Sequence, residues 1–381
     1  MRFHWFLPTS GDGRAITGGG HGLARRHGQA AASASRPPTI DYLAQVARAA
    51  EQAGFEAVLT PTGTYCEDAW LVTAALTQVT TRLKFLVAFR PGALSPTLAA
   101  QMAATYQRIS GGRLLLNVVT GGEAAEQRRF GDHLGKDERY ARTDEFLSIA
   151  RGAWDGPLDF RGNYYEVEGA AVAERPDPVP ELYFGGSSAA AGPVAARHVD
   201  VYLTWGEPPS QVAAKLDWMR ELAAAEGRTL RFGIRLHVIT RDTSKEAWAE
   251  AKRLLDQISP EDIASARAVL SRSESVGQQR MLALHEGYRA GSHGGRVRDL
   301  EIHPGLWAGV GLVRGGAGTA LVGSHAEVAD LVEEYASLGV EEFVLSGYPH
   351  LEEAFWFGEG VLPELRRRGL LGAPAPVRLS A

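Results

Sequence analysis

A guanidinium and an imidazole side chain stand two positions apart in a short β-branched segment. The segment reads Ile234-Arg235-Leu236-His237-Val238, and successive side chains of a β-strand point to opposite faces. We therefore expect Arg235 and His237 on one polar face and the three apolar side chains packed against helices on the other. A buried guanidinium needs an anion beside it, so Arg235 is predicted either to bind an anionic substrate or to pair with an acid on a neighbouring strand.

A second segment is a candidate phosphate cradle. Gly185-Gly186-Ser187-Ser188 follows a short apolar run and precedes a helix predicted to begin near Ala189. Glycines allow a ligand to approach the backbone, hydroxyls donate hydrogen bonds, and the first amides of a helix lack partners. The same residues could instead act only as an N-terminal cap.

Three aromatic residues also leave two interpretations open. Aromatic side chains of α/β proteins usually belong to the core, but these three could form the wall of a flavin or substrate site. They are Trp205, Tyr140 and Phe184.

Several familiar site motifs are missing from the sequence. There is no G-x-G-x-x-G, no G-x-x-x-x-G-K-[ST], no H-E-x-x-H and no G-x-S-x-G, so we predict neither a Rossmann dinucleotide site nor a catalytic metal. Forty Lys and Arg residues against 45 Asp and Glu residues give a net charge of −5. This balance offers no global attraction to nucleic acid or to an anionic membrane.

The cysteine content and the hydropathy of the sequence indicate the cellular compartment of the protein. Cys66 is the single cysteine, which excludes an intramolecular disulfide and favours a reducing compartment. No secretory signal pattern is present, and no stretch approaches the roughly 18 apolar residues that cross a bilayer. We therefore expect a cytoplasmic protein without a membrane partner.

A repeating pattern of strands and helices must position these residues. Amphipathic segments such as Ile40–Gln52, which Gly54 ends, alternate with short β-branched or aromatic runs, as is typical of a parallel sheet. Eight runs predict an α/β fold, a single (β/α)₈ TIM barrel over residues 1–381, with a doubly wound open sheet as the alternative. The runs are Phe3–Leu7, Ala57–Thr60, Leu83–Phe89, Leu114–Val119, Leu182–Phe184, Val201–Leu203, Phe232–Thr240 and Glu342–Leu345.

Two segments interrupt the repeat. Residues 13–38 are rich in Gly, Ala, Ser and Arg and are interpreted as an insertion after the first strand. Residues 260–318 separate the last two strands, and a loop of that length is usually functional or disordered. We predict that this second insertion is a mobile lid. Arg314, beside Gly315-Gly316-Ala317-Gly318, would respond to bound ligand at its hinge, or alternatively form an ordinary surface ion pair.

Longer strings of the sequence carry a family resemblance. They include Phe6-Leu7-Pro8-Thr9, Pro61-Thr62-Gly63, Cys66-Glu67-Asp68-Ala69-Trp70-Leu71, Tyr183-Phe184-Gly185-Gly186-Ser187-Ser188, Leu203-Thr204-Trp205-Gly206-Glu207-Pro208-Pro209, Phe232-Gly233-Ile234-Arg235-Leu236-His237-Val238, the string from Leu306 to Gly323, and Ser346-Gly347-Tyr348-Pro349-His350-Leu351-Glu352-Glu353. Together they resemble the alkanesulfonate monooxygenases of the bacterial luciferase superfamily over almost the whole chain.

The resemblance implies a two-component system with a luciferase-like barrel. A separate NAD(P)H-dependent FMN reductase would supply reduced FMN as a diffusible co-substrate. This chain would react it with dioxygen and an organosulfonate, releasing sulfite and an aldehyde. The resemblance also implies a homo-oligomer, either a tetramer or a dimer.

The resemblance also assigns roles to individual residues. The sulfonate-binding and catalytic cluster would be Arg235, His237, Arg314, Tyr348 and His350, with Trp205 as the substrate wall and Cys66 beside the flavin. FMN would be held by Tyr140, Thr120, Gly186, Ser187 and Ser188.

The sequence departs from the family pattern at two strand ends. Ser10 stands where the family usually has His, and Thr64-Tyr65 replaces the usual Arg-Ser before Cys66. We expect these three residues to face the pocket and to set substrate choice, so a sugar sulfonate such as sulfoquinovose is the alternative to a simple alkanesulfonate. Alternatives of other classes are a flavin- or deazaflavin-dependent hydride-transfer oxidoreductase and a non-catalytic flavin-binding barrel.

Overall fold

The computed structural model describes residues 1–17, 36–288 and 296–372. Its strands are β1 (Arg2–Phe6), β2 (Ala57–Thr60), β3 (Lys84–Phe89), β4 (Leu114–Val118), β5 (Leu158–Arg161), β6 (Glu166–Ala170), β7 (Leu182–Phe184), β8 (Val201–Trp205), β9 (Arg231–Arg241), β10 (Glu301–His303), β11 (Leu306–Trp307), β12 (Ala320–Ser324) and β13 (Val340–Ser346).

The α-helices lie between and after these strands. They are α1 (Ile40–Ala53), α2 (Ala69–Leu76), α3 (Pro96–Ser110), α4 (Ala124–Arg129), α5 (Lys136–Asp155), α6 (Ala191–His198), α7 (Pro209–Ala225), α8 (Ser244–Asp256), α9 (Pro260–Leu270), α10 (Val276–Ala283), α11 (His325–Ser337), α12 (His350–Trp356) and α13 (Leu362–Arg367). None of the helices in the described ranges is long and apolar enough to cross a bilayer.

Eight parallel strands close into a barrel. Their order is β1-β2-β3-β4-β7-β8-β9-β13, and β13 pairs with β1 to complete the ring. Each of the eight predicted runs lies on one of these strands, with ends displaced by no more than two residues. The (β/α)₈ prediction is confirmed, and the open doubly wound sheet is excluded because β8 and β9 are also paired.

The first helix shows why the sequence pattern was readable. The Thr39 side chain accepts a hydrogen bond from the Tyr42 amide at the start of α1, and Gly54 adopts a φ of 96° at its end. Only a residue without a Cβ takes that conformation at little cost. Cap and stop therefore define the helix locally.

Strand β9 carries the two faces that its alternation predicts. Ile234, Leu236 and Val238 are fully buried in the main hydrophobic core, as expected for side chains that face the helices. Arg235 and His237 occupy the opposite, inner face, where both contact the cavity described below. This prediction is confirmed.

The second insertion is more ordered than expected. Helix α9 begins with a capping box in which Ser259 and Asp262 satisfy each other's backbone amides, and the Ser275 hydroxyl caps α10. The Ser-Pro-Glu-Asp start of α9 is a recognisable helix signal that the glycines further along the segment obscured. The long-loop interpretation is therefore wrong for residues 260–288, while the lid motion stays a prediction.

Five further strands were not expected, because they pair outside the ring or only at its rim. Strands β5 and β6 form a separate antiparallel hairpin. Strand β12 runs parallel to the second half of β9, and β11 and β10 follow at its outer edge. The first insertion falls largely on residues 18–35, which lie outside the described residues; its two ends are joined by an antiparallel bridge between Asp12 and Arg36.

Candidate active site

A cavity at the carboxyl-terminal ends of the barrel strands has two connected lobes. We call the first the glycine lobe, lined by Thr120, Tyr140, Gly185, Gly186, Ser187, Ser188 and Lys215 among others. We call the second the arginine lobe, lined by Phe6, Tyr65, Arg90, Glu126, His237, Arg314, Tyr348 and His350 among others. Trp205, Arg235, Asn117 and Gly316 contact both lobes. The fold thus brings most of the predicted site residues to one place.

Arg235 faces this cavity without an acidic partner among the described residues. Its Nη2 donates to Ser346 Oγ at 2.9 Å, its Nη1 donates to the Leu236 carbonyl, and its guanidinium lies 4.9 Å from the Phe6 ring centroid. Burial lowers the pKa of Arg235 to about 10, with the tyrosine at 348 opposing this and Arg314 adding to it. No carboxylate of the described residues neutralises the side chain, so the expected alternative of an interstrand ion pair is not found.

His237 is held in one tautomer by two neighbours. Its Nε2 lies 3.0 Å from the Ala317 carbonyl, which can only accept, so Nε2 carries the proton. Its Nδ1, 2.7 Å from Ser346 Oγ, therefore accepts the serine proton. Burial first, and then Arg235, Arg314 and His350, keep the pKa of His237 well below its usual value. Because both nitrogens of this neutral ring are occupied, His237 positions Ser346 and, through it, Arg235.

Arg314 is a second buried cation at the cavity. Its side chain is only 9% exposed, its Nε donates to the Ile16 carbonyl at 2.8 Å, and its guanidinium lies 4.9 Å from the Tyr348 ring centroid. Among residues 1–17, 36–288 and 296–372 it has no carboxylate partner, so the alternative of a surface ion pair is wrong. Tyr348 stacks on His237 with ring centroids 5.4 Å apart.

Tyr348 and His350 complete the polar wall of the arginine lobe. The Tyr348 hydroxyl is buried and finds no hydrogen-bond partner in the described part of the chain. Burial raises its pKa, while Arg314 and Arg235 oppose that rise. His350 Nδ1 lies 2.9 Å from Asp12 Oδ1, and its backbone amide donates to Asp12 Oδ2 at 2.9 Å.

The Asp12 carboxylate thereby orients the His350 ring. Asp12 also accepts from the Gly13 amide at 2.8 Å and from the Tyr42 hydroxyl. Burial alone would raise the pKa of Asp12, but His350 and these donors lower it overall, so the group is a carboxylate. With Nδ1 occupied, His350 has Nε2 available for a proton at the cavity.

The glycine lobe is built so that backbone and hydroxyl groups face its interior. A Cβ on Gly186 would lie 2.5 Å from the Ala191 Cβ, so a side chain there would clash, and one on Gly185 would lie in tight contact, 3.1 Å from the Leu203 carbonyl oxygen. The Tyr202 hydroxyl donates to the Gly186 carbonyl at 2.8 Å. The loop is therefore held close to the strands.

The serines of this loop do not cap the following helix. Helix α6 has Ala190 as its N-cap residue, with no side-chain capping bond, so the alternative that they serve only as a cap is wrong. The Ser188 and Thr120 hydroxyl oxygens are buried without a hydrogen-bond partner within the described ranges. The Tyr140 hydroxyl faces Ser188. Such unsatisfied buried groups are unfavourable unless a ligand or water meets them.

Three predicted residues do not contact either lobe. Ser10 is half-buried, and Thr64 is exposed, with its hydroxyl 3.3 Å from Arg129 Nη1. Cys66 is half-buried beside the Pro61 and Gly63 carbonyls, and burial raises the pKa of its thiol to about 12. The expectation that Ser10 and Thr64 face the pocket is not met, since neither lines a lobe, whereas Tyr65 does line the arginine lobe. The functional roles of Ser10, Thr64 and Cys66 stay predictions.

The sequence motifs did not single out several residues that line the cavity or support its side chains. Asp12 and Ser346 orient His350 and His237, and Arg90 forms a buried ion pair with Glu126, with Nη2 and Oε2 2.6 Å apart. Asp12, Ser346 and Arg90 each stand at or shortly after a predicted strand end, in Gly-Asp-Gly, Leu-Ser-Gly and Arg-Pro-Gly, whereas Glu126 lies on α4. That position was the available signal, because barrel sites form at these ends.

Comparison with known proteins agrees with this architecture. The family model described as luciferase-like monooxygenase matches residues 1–342. Among solved structures, the riboflavin lyase RcaE, determined with a modified FMN and its substrate riboflavin, superposes with a TM-score of 0.77 at 22% identity, covering 98% of this chain and 94% of that chain.

Two further solved structures have similar folds. DmoA from Hyphomicrobium sulfonivorans superposes with a TM-score of 0.76 at 21% identity, covering 97% of this chain and 88% of that chain. The long-chain alkane monooxygenase LadA superposes with a TM-score of 0.73 at 21% identity, covering 97% of this chain and 92% of that chain. At these identities the similarity establishes the fold.

Proposed function

The chain belongs to the luciferase-like monooxygenase family, and from this premise we propose that it is a two-component, reduced-FMN-dependent monooxygenase that cleaves an organosulfonate to sulfite and an aldehyde. Reduced FMN comes from a separate NAD(P)H-dependent reductase. The observation that carries the proposal is the pair of cations, Arg235 and Arg314, which meet at one lobe without a carboxylate partner in the described part of the chain.

A sulfonate matches this pair of cations. Buried guanidinium groups are unfavourable without an anion, and the planar fork of arginine suits a group with several charged oxygens. The Arg235 guanidinium is oriented by its hydrogen bond to Ser346, which His237 in turn holds in place. The Arg314 guanidinium lies against the Tyr348 ring. The site is therefore preorganised for an anion whose charge increases as sulfite leaves the carbon.

The glycine lobe fits the phosphate end of FMN. The Thr120 hydroxyl has no partner within the described residues, and the Ser188 hydroxyl faces that of Tyr140. Gly186 lines the lobe with backbone atoms alone. Tyr140 and Ser187 complete the set of residues that would hold the phosphate. Reduced flavin bound there would supply the electrons for the reaction with dioxygen, while the chain binds, orients and shields the reactants.

His350 is the residue suited to proton transfer in the arginine lobe. Asp12 fixes its Nδ1 and thereby presents Nε2 to the cavity, an arrangement that sets tautomer and direction. The ring of His237 lacks this freedom, because Ala317 and Ser346 occupy both of its nitrogens. We therefore assign proton transfer to His350 and a positioning role to His237.

The test is sulfite release under controlled flavin supply. The purified protein is combined with an FMN reductase, NADH, FMN, oxygen and a panel of sulfonates, and sulfite is measured. We expect sulfite only when every component is present. Arg235→Met and Arg314→Met should each lower kcat/KM by about tenfold or more, since a charge-assisted contact is worth ~1.5–3 kcal/mol.

A matched control separates charge at the site from charge in general. Arg129→Met removes an exposed arginine near the cavity and should leave sulfite release unchanged. Oxygen-dependent turnover without sulfite for every sulfonate, or hydride transfer to an acceptor without oxygen, would refute the proposed reaction.

A further inference from the structure

Of the described residues, three arginines border the arginine lobe, and they differ in whether an acidic side chain neutralises them. Arg235 and Arg314 have no such partner in the described ranges. Arg90 is paired with Glu126, and their side chains are only 5% and 9% exposed. The lobe thus has a cationic side at Arg235 and Arg314 and an electrically neutral, hydrogen-bonding side at Arg90 and Glu126.

The topology places Arg90 across the barrel from Arg235. Arg90 directly follows β3, and Arg235 lies on β9. In the closed order β1-β2-β3-β4-β7-β8-β9-β13, three strands separate β3 from β9 in either direction. A ligand whose anionic group is held at Arg235 would therefore approach Arg90 with its other end if it extended across the lobe.

Arg90 has unused donors at this wall. Both oxygens of Glu126 accept a hydrogen bond, Oε2 from Arg90 Nη2 at 2.6 Å and Oε1 from the Thr64 amide at 3.1 Å. The Nε and Nη1 atoms of Arg90 are buried and have no acceptor among the described residues. Because Glu126 already balances the charge, a neutral oxygen such as a hydroxyl satisfies these donors without adding an unpaired anion.

Tyr65 limits the space beside this pair. Its ring lies over Gly63, where an added Cβ would come within 2.1 Å of a ring carbon and 2.7 Å of Glu126 Oε1. Its hydroxyl donates to the Thr62 carbonyl at 3.2 Å. The ring therefore occupies the wall next to Arg90, into which a long carbon chain would have to extend.

We propose that the substrate is a compact, hydroxylated sulfonate whose hydroxyl group is recognised by Arg90, with Tyr65 excluding long unsubstituted chains. This inference rests on the proposed sulfonate reaction and adds the chemistry of the carbon portion. Arg90 and Tyr65 are specificity-determining residues in this arrangement. They act on the end of the substrate away from the carbon–sulfur bond.

The test uses two sulfonates that differ only in hydroxyl groups, dihydroxypropanesulfonate and propanesulfonate. We expect the wild-type protein to show a kcat/KM at least about tenfold higher for the hydroxylated compound. Arg90→Lys keeps a cation beside Glu126 but loses the planar fork. It should lower kcat/KM about tenfold for the hydroxylated compound and less than about threefold for propanesulfonate.

Two further variants sharpen the comparison. Arg129→Lys changes an exposed arginine on the neighbouring helix and should alter neither substrate. Tyr65→Ser removes the ring and should raise kcat/KM for octanesulfonate several-fold. Circular dichroism and thermal unfolding establish that each variant is folded. If Arg90→Lys does not fold, the ratio of the wild-type kcat/KM values for dihydroxypropanesulfonate and propanesulfonate tests the proposal by itself.

The outcomes separate the two proposals. Sulfite release with equal kcat/KM for the matched pair, or an equal loss for both in Arg90→Lys, overturns the role of Arg90 and leaves the sulfonate reaction standing. No sulfite from any sulfonate in the wild-type protein overturns both.

Discussion

Replacing Ser346 with alanine should weaken sulfonate binding although the serine contacts no substrate in this arrangement. Its hydroxyl accepts from Arg235 Nη2 at 2.9 Å and donates to His237 Nδ1 at 2.7 Å. In Ser346→Ala the fully buried Nδ1 loses its donor, which costs about 1–3 kcal/mol of folding stability. The Arg235 donor also loses its acceptor, but Arg235 faces the cavity, where water can take the place of the serine oxygen. The loss of this second bond therefore adds no further cost to folding stability.

The effect of Ser346→Ala on sulfonate binding follows from the orientation of the Arg235 guanidinium. Without Ser346, the guanidinium keeps its charge but loses a bond that directs its fork, and a charge-assisted contact to the substrate is worth ~1.5–3 kcal/mol. We expect KM for the sulfonate to rise about tenfold, with kcat changed less than about threefold and the FMN dissociation constant unchanged. Steady-state sulfite release and flavin fluorescence titration measure these quantities.

A matched control is available at another strand end. The Thr60 hydroxyl is buried on β2 and has no hydrogen-bond partner in the described ranges, so Thr60→Val removes a strand-end hydroxyl without breaking a bond. It should leave KM for the sulfonate unchanged. A KM in Ser346→Ala equal to that of wild type, or a loss confined to kcat, would contradict the positioning of Arg235 through Ser346.

Three further predictions follow from other parts of the molecule. Asp12→Asn should lower kcat for sulfite release about 100-fold with little change in the KM of the sulfonate, because it disturbs the proton-carrying tautomer of His350; unchanged kcat would remove this pair from the mechanism. Ser188→Ala should raise the FMN dissociation constant about tenfold in a fluorescence titration, since a phosphate contact is lost; an unchanged constant would move the phosphate elsewhere. Burial would raise the pKa of Glu342, but His4 and other partners lower it to about 2 from 4.5. The ionised carboxylate therefore contributes about 3 kcal/mol to the free energy of unfolding. This contribution is complete above pH ~4.5 and is lost as the pH falls towards 2. Denaturant unfolding should therefore show a weaker acid dependence in Glu342→Gln than in wild type, and no such change in the exposed neighbour Glu341→Gln.

Local chemistry made the barrel readable from the sequence. Each of the eight strands is a short run of buried side chains bounded by turn residues, and helices such as α1 carry their own cap and stop. Alternation along β9 placed Arg235 and His237 on one face before any fold was known. The glycines of the long insertion indicate a loop, whereas its helices α9 and α10 are signalled by the capping serines, Ser259 and Ser275.

The amino-acid sequence by itself determined the strand positions, the polar face of β9 and the glycine–serine loop, because each depends on residues close together in the chain. Tertiary structure alone decided that Arg235 has no acidic partner in the part of the chain that the structure describes, that Ser346 links it to His237, and that Arg90 stands across the barrel. These relations join residues more than a hundred positions apart. They depend on how the ring of strands closes and on which hydrogen-bond partners that closure brings within reach, and no local pattern encodes either.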